Sequence, residues 1–261
     1  VRVGFIGAGH IARALGKGWS RPGLAGAPAL TYLDVMPDQA ERAAEAARAD
    51  VASSLEDLVD QTDLIVVAVR PQHVAEVLAE VAPLLGDRPL VSVAAGVTLE
   101  ELLAALPPDA HAARVMPNVA AAMGLGVFLF VPGTLGEYQR PVEELFALAG
   151  EVVVLDEEHF DPATAIAGCM PGMLAMLVRD FASAGEKQGL DGDVARRLAI
   201  AGVHGAAAVI AREGDPEAVI ASAATPGGMT AAAISKLEER ELADAVALAV
   251  HAAAQRAKEL K

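Results

Sequence analysis

Aromatic side chains are scarce. The 261 residues include one Trp, two Tyr and six Phe. So few flat rings leave little material for a platform on which nucleic-acid bases could stack. Positive charge is also short, with 20 Lys and Arg against 35 Asp and Glu, a formal net charge of −15. Nucleic acids and anionic membranes both attract a basic surface, so the balance argues against either as a general partner. The single cysteine, Cys169, excludes an intrachain disulfide and a cysteine-rich metal centre, and it fits a reducing cytoplasm. H-E-x-x-H, C-x-x-C, G-x-S-x-G and G-x-x-x-x-G-K-[ST] are all missing, and His73, His111, His159, His204 and His251 are scattered, so no metal site is expected. The longest uncharged stretch, Val115–Gly136, is broken by Pro117, Asn118, Gly124, Gly126, Pro132 and Gly133. It reads as a buried strand with flanking turns rather than a membrane span. No leader is in view ahead of the strand-like run Val1–Ile6.

What the chain has in quantity is small aliphatic surface: 54% of its residues are hydrophobic, with alanine prominent. That suffices for a sizeable core. In the first half, short apolar runs alternate with amphipathic ones. Strands are expected at Val1–Ile6, Ala29–Leu33, Leu64–Val69, Leu90–Ala94, Ala112–Met116, Gly126–Val131 and Glu151–Leu155. Helices are expected at His10–Ser20, Pro37–Ala49, His73–Leu85, Leu99–Leu106 and Tyr138–Ala149. The alternation predicts an α/β fold, a doubly wound and mostly parallel Rossmann-type sheet over residues 1–156. After Asp156 only helical periodicity remains, at Pro162–Gly185, Asp193–Arg212, Pro216–Ala223, Thr230–Glu238 and Glu241–Leu260. Residues 157–261 are therefore expected to form an all-helical domain. Its faces are too apolar for one small solvated bundle, which predicts burial against a second copy as a homodimer or larger assembly.

Gly7-Ala8-Gly9-His10-Ile11-Ala12 matches G-x-G-x-x-A between a strand and a helix, the context of a dinucleotide site. Gly7 permits the tight turn, Gly9 lets backbone approach a pyrophosphate, and Ala12 keeps helix and sheet close. The helix N-terminus adds free N–H groups and partial positive charge. His10 either joins this site or faces solvent. Asp34 closes the second strand, where a carboxylate accepts from both ribose hydroxyls and repels a 2′-phosphate. No arginine follows in Val35-Met36-Pro37, so NADH is expected ahead of NADPH; a plain helix-capping Asp is the other reading. Ala68, Val69, Arg70 and Pro71 leave the Leu64–Val69 run, with Arg70 placed either along the cofactor or in solvent. Ala95 follows the next strand among small residues, and Asn118 offers both donor and acceptor after another.

In the helical half, Thr225-Pro226-Gly227-Gly228-Met229-Thr230 interrupts the periodicity. Two glycines ahead of a helix expose N–H groups in an arrangement suited to a carboxylate, although an interhelical turn would look the same.

Several of these segments occur in one order: Gly4-Phe5-Ile6-Gly7-Ala8-Gly9, Ala68–Gln72, Arg114–Asn118, Pro171, Thr225–Thr230, Leu237-Glu238 and Arg256-Ala257-Lys258-Glu259-Leu260. Together they resemble the pyrroline-5-carboxylate reductase family over essentially the whole chain. The resemblance implies an oxidoreductase that reduces the cyclic imine 1-pyrroline-5-carboxylate to L-proline with NAD(P)H, the last step of proline biosynthesis. It also implies intertwined helical domains and a substrate near the dimer interface. Carried over, Thr230 would contact the ring nitrogen, and Thr225, Gly227, Gly228 and Met229 would hold the carboxylate. Glu157 would sit near the substrate, and a cytoplasmic enzyme is expected.

The chain departs from the family at His10, where Asn is usual. It departs again at Cys169-Met170-Pro171-Gly172-Met173, where Ser-Gly-Pro-Ala-Tyr is common, and at Ser222, which replaces an Asn or Arg. These departures bear on which imine is reduced. Other readings are a β-hydroxyacid-type dehydrogenase and a dinucleotide-binding paralogue without turnover. The dehydrogenase reading requires a catalytic lysine that Pro162–Gly185 lacks, with Lys187 expected beyond its end.

Overall fold

The computed structural model describes residues 1–259 and divides into two compact units. One is Val1–Gly168 together with Ala253–Glu259; the other is Cys169–Ala252. The sequence-based division lies earlier, at Asp156. Leu260, the expected end of the last helix, lies outside the described residues.

The first unit is built on one eight-stranded sheet. Its strands are β1 (Arg2–Ile6), β2 (Ala29–Leu33), β3 (Asp50–Val51), β4 (Leu64–Val67), β5 (Leu90–Ser92), β6 (Ala112–Met116), β7 (Gly126–Val131) and β8 (Gly150–Val154), in the spatial order β3-β2-β1-β4-β5-β6-β7-β8. All neighbours run parallel except β6 and β7, so β7 and β8 point against the rest. The connecting helices are α1 (His10–Trp19), α2 (Pro37–Ala47), α3 (Leu55–Gln61), α4 (Val74–Leu85), α5 (Leu99–Ala104), α6 (Gln139–Ala147) and α7 (Phe160–Ala167). The strand order reverses between β1 and β4. In such sheets ligands bind outside the carboxyl ends of the strands at that switch point.

Strand alternation sorts the side chains into two buried layers. Val3, Phe5 and Val66 join Leu15, Trp19, Tyr32 and Phe146 on one face. Ile6, Ile65 and Val67 join Leu58, Leu78, Leu85 and Leu102 on the other. The scarce aromatics are concentrated in the first layer. Phe5 stacks on Tyr32 at 4.8 Å between centroids, and Trp19 meets Phe146 edge-on at 5.3 Å. The small residues of α1 serve the same layer. A Cβ on Gly16 would fall 1.9 Å from the Tyr32 hydroxyl, which donates to the Ala12 carbonyl at 3.3 Å. Burial pushes the Tyr32 phenol pKa upward and keeps it a donor.

The second unit contains α8 (Met170–Lys187), α9 (Gly192–Glu213), α10 (Pro216–Ala223), α11 (Met229–Glu238) and most of α12 (Leu242–Glu259). Lys187 is the last residue of α8 rather than a residue beyond it, and it is exposed. Within α8 and α9, which pack on each other, only Ala182 and Ala195 are buried. Phe181, Leu198, Ile200 and Leu248 are each more than half exposed, at 57%, 58%, 54% and 70%. Glu157–Lys187 and Gly192–Glu213 are also long and apolar enough, by length and composition alone, to cross a membrane.

Two segments differ from the sequence-based expectation. The short β3 and α3 were not foreseen. The expected single helix Pro162–Gly185 is divided into α7 and α8 at Gly168-Cys169. Pro171 has no N–H to donate to the Ala167 carbonyl one turn back. That carbonyl instead accepts from Asn118 Nδ2 at 3.0 Å.

Candidate functional site

The turn after β1 is clamped by its neighbours. Gly7 adopts φ +99°, its N–H donates to the Leu33 carbonyl at 2.8 Å, and a Cβ there would lie 2.7 Å from the Ala68 carbonyl oxygen. Only glycine meets both demands. The Asp34 carboxylate fixes the turn from the second side. Oδ2 accepts from the Ala8 N–H at 2.8 Å, and Oδ1 accepts from the Met36 N–H at 2.9 Å. Each oxygen keeps lone-pair capacity for a further donor. Gly9 caps α1 with no side-chain bond, and a Cβ built on it would find only the Ala68 carbonyl, at 4.0 Å. The N–H groups of the first helical turn, from His10 and Ile11 onward, therefore open onto a clear cradle of the kind a pyrophosphate fills.

Beside the cradle is a pocket of about 120 Å³ lined by Ile6, Gly7, Leu33, Asp34, Val35, Leu55, Val69, Val77 and Glu80. It has apolar walls and two carboxylates, those of Asp34 and Glu80. In open α/β sheets of this kind the carboxylate that closes the second strand is the group placed to meet a nucleotide's ribose. The structure thus brings Gly7, Ala8, Gly9, His10, Ile11, Asp34, Ala68 and Val69 to one crevice at the carboxyl ends of β1, β2 and β4. Arg70 is exposed and follows Val69 of the pocket wall, and Pro71 opens a single 3-10 turn. Ala95 lies just past β5 beside Gly96, at φ +73°.

Asn118 is placed differently from its expected role. Its Nδ2 holds the Ala167 carbonyl, and its Oδ1 accepts from the N–H groups of Ala120 and Val127 at 3.2 and 3.3 Å. Most of its polar capacity fastens the start of β7 and the end of α7.

Glu157, expected near a substrate, is paired with a side chain that the sequence reading had not assigned to the site. Arg114 on β6 is 2% exposed, and its Nη1 bonds Glu157 Oε1. The guanidinium carbon lies 3.7 Å from the Phe160 ring centroid. Burial pulls the Arg114 pKa below its usual value; the Glu157, Asp161 and Glu101 carboxylates act against that. An arginine inside the otherwise apolar run Ala112–Met116 was the available signal, because a charge on a buried strand needs a partner.

In the second unit, the Thr225–Thr230 loop has the geometry of an anion nest. Gly227 adopts φ +74°, and the Gly228 N–H donates to the Thr225 carbonyl at 2.9 Å. Gly228 caps α11 without any side-chain bond, leaving the first-turn N–H groups, Met229 and Thr230 among them, open to a ligand. A Cβ on Gly228 would lie 2.7 Å from Thr225 Oγ1. Met229 is 92% exposed and Thr230 is exposed as well. Asp156, Glu158 and His159 bring ligand-capable atoms within 4.8 Å of one another, all in exposed positions.

Two family models match different parts of the chain. Residues 2–96 match the family described as NADP oxidoreductase, coenzyme F420-dependent, and residues 157–260 match pyrroline-5-carboxylate reductase dimerisation. A pyrroline-5-carboxylate reductase of Aquifex aeolicus is 33% identical, with 100% of this chain and 97% of that protein covered. The crystal structure of 1-pyrroline-5-carboxylate reductase from Streptococcus pyogenes superposes with a TM-score of 0.84 at 28% identity, covering 99% and 98% of the two chains. That of Plasmodium falciparum pyrroline carboxylate reductase with NADP bound gives 0.81 at 26% identity, covering 100% and 98%.

Proposed function

The chain belongs to the pyrroline-5-carboxylate reductase family, and from that premise we propose how its own residues share the reduction of 1-pyrroline-5-carboxylate to proline. The cofactor, NAD(P)H, supplies the hydride when bound. Gly7, Ala8 and Gly9 hold its pyrophosphate against the first turn of α1, with His10 and Ile11 supplying N–H groups. Asp34 takes the ribose hydroxyls. Ala68, Val69, Arg70, Pro71 and Ala95 border the path at the strand ends, where Asn118 adds at most its remaining amide hydrogen.

The imino acid's carboxylate is held by the open N–H groups of α11 and by Thr225, around Gly227, Gly228 and Met229. Thr230 Oγ1 accepts from the protonated ring nitrogen and fixes its orientation. A substrate already carrying that proton needs no strong general acid from the protein. Glu157 braces Arg114 in this reading and does not touch the substrate.

The observation that carries the cofactor half is the Asp34-clamped glycine turn. For the substrate half it is the similarity over the full chain. NADH oxidation measured with and without pyrroline-5-carboxylate tests both. Turnover that needs the imine supports the reading. Oxidation driven by a β-hydroxyacid's keto counterpart, or none with any partner, overturns it.

NADH is preferred over NADPH in this proposal, because a 2′-phosphate would enter beside the Asp34 carboxylate with no arginine in Val35-Met36-Pro37 to meet it. Steady-state kinetics should give the higher kcat/KM with NADH, and the reverse order would remove Asp34 as the selector.

The working form is a homodimer or larger assembly joined through residues after Asp156. The exposed apolar faces of α8, α9 and α12 support this, together with the dimerisation-family match over the same residues. Light scattering at micromolar concentration should find no stable monomer, and a folded active monomer would defeat the assignment. A cytoplasmic setting is the proposed one, in keeping with the single cysteine.

A further inference from the structure

Asp34 shares its pocket with a second carboxylate, Glu80. Resting on the dinucleotide reading of this crevice, we propose that Glu80 recognises the adenine base. Its carboxylate accepts a hydrogen bond from the 6-amino group and so favours adenine over a 6-oxo purine.

The lining of the pocket is the first support. Leu33, Val35, Leu55, Val69 and Val77 give apolar walls suited to a flat heterocycle, and Asp34 and Glu80 are the charged groups among its lining residues. The two carboxylates come from different elements. Asp34 follows β2, at the ribose position. Glu80 stands on α4, three residues after Val77 and therefore on the same helical face. The buried stripe of α4 is Val74, Leu78, Val81 and Leu85, so Val77 and Glu80 flank the core rather than enter it.

The second support is the difference in engagement. Both Asp34 oxygens are tied to backbone N–H groups, whereas no hydrogen bond or ion pair engages Glu80 among the described residues. Glu80 is exposed at the rim of the pocket, so its carboxylate stands free for a donor that a ligand brings. Adenine offers its exocyclic amino group. Hypoxanthine turns an oxygen acceptor to the same place, and two acceptors repel.

The test compares NADH with reduced nicotinamide hypoxanthine dinucleotide in the parent enzyme, Glu80→Ala and Glu80→Gln. The parent should favour NADH by about tenfold in kcat/KM, the scale of one hydrogen bond to a charged group. The difference should lie in KM, because the base is remote from the reacting carbon. Glu80→Ala should bring the two cofactors within about twofold of each other. Glu80→Gln should do nearly the same, since its carboxamide can turn either a donor or an acceptor to the base. Absence of discrimination in the parent, or discrimination that survives in Glu80→Ala, would overturn the proposal. NADH binding to Asp34→Ala, followed by fluorescence, separates this failure from failure of the crevice reading. Unchanged NADH affinity there removes the crevice itself. Weakened affinity with no effect of Glu80 on base choice removes Glu80 alone.

Discussion

Thr230→Val lowers kcat/KM for the imino acid about ten- to a hundredfold and leaves NADH affinity close to that of the parent. Valine keeps the shape and deletes the hydroxyl, so the turn set by Gly227 at φ +74° and by the Gly228-to-Thr225 bond is retained. The group lost is an acceptor for a charged ring nitrogen, and such a bond is worth ~1.5–3 kcal/mol. Each 1.36 kcal/mol is roughly a factor of ten in rate. The dinucleotide crevice is built from the β1–α1 turn and Asp34, so its affinity for NADH has no reason to follow. If the loop were only an interhelical turn, loss of an exposed hydroxyl would cost almost nothing. Parent-like turnover in a variant with an unchanged melting temperature would therefore remove Thr230 from the site.

Glu157→Ala acts on stability instead. Arg114 is 2% exposed and relies on Glu157 Oε1, and breaking a buried pair from one side costs about 3–5 kcal/mol because the other charge stays buried. The lower end applies here, since Asp161 and Glu101 also favour the charged guanidinium and Glu157 is itself 33% exposed. At ~2–4 °C per kcal/mol for a chain of this size, the melting temperature should fall by roughly 10 °C at fixed protein concentration. KM for the imino acid should hold in the protein that remains folded. Glu157→Gln keeps a hydrogen-bond acceptor for Arg114 and should lose less. A large rise in KM with an unchanged melting temperature would return Glu157 to the substrate and refute the brace.

The sheet was legible because its strands are short apolar runs closed by turn residues; β2, β6 and β7 fall on their expected limits. The reversal of β7 was not legible, because Gly126–Val131 is equally apolar whichever way it runs. β3 was hidden by its length of two residues, and α3 by having few apolar positions. The start of α3 did carry a signal: Ser54 accepts from the Asp57 N–H, a capping pattern three residues apart. The break after α7 was signalled by Pro171, whose effect falls one turn earlier than the proline itself. For the sites, glycine patterns pointed to the turns because glycine conformations are local. Arg114 with Glu157, and Glu80 with Asp34, escaped notice because each pair is 43 or 46 residues apart in sequence and meets only through the sheet.

The two bonds that Asp34 receives from Ala8 and Met36 have a consequence for how the nucleotide arrives. A glycine-rich turn left loose would have to be ordered by its ligand, and that entropy would be subtracted from the affinity. Here bonds within the protein itself stitch the turn to β2 and β4. The loss of backbone freedom belongs to folding and not to complex formation. Preorganisation of this kind gives association without a slow rearrangement and a bound state whose enthalpy is not spent on restraining the chain. It also makes Asp34 two things at once: a recognition group for the ribose and a structural fastener. Its replacement should therefore loosen the grip on the pyrophosphate as well as on the sugar.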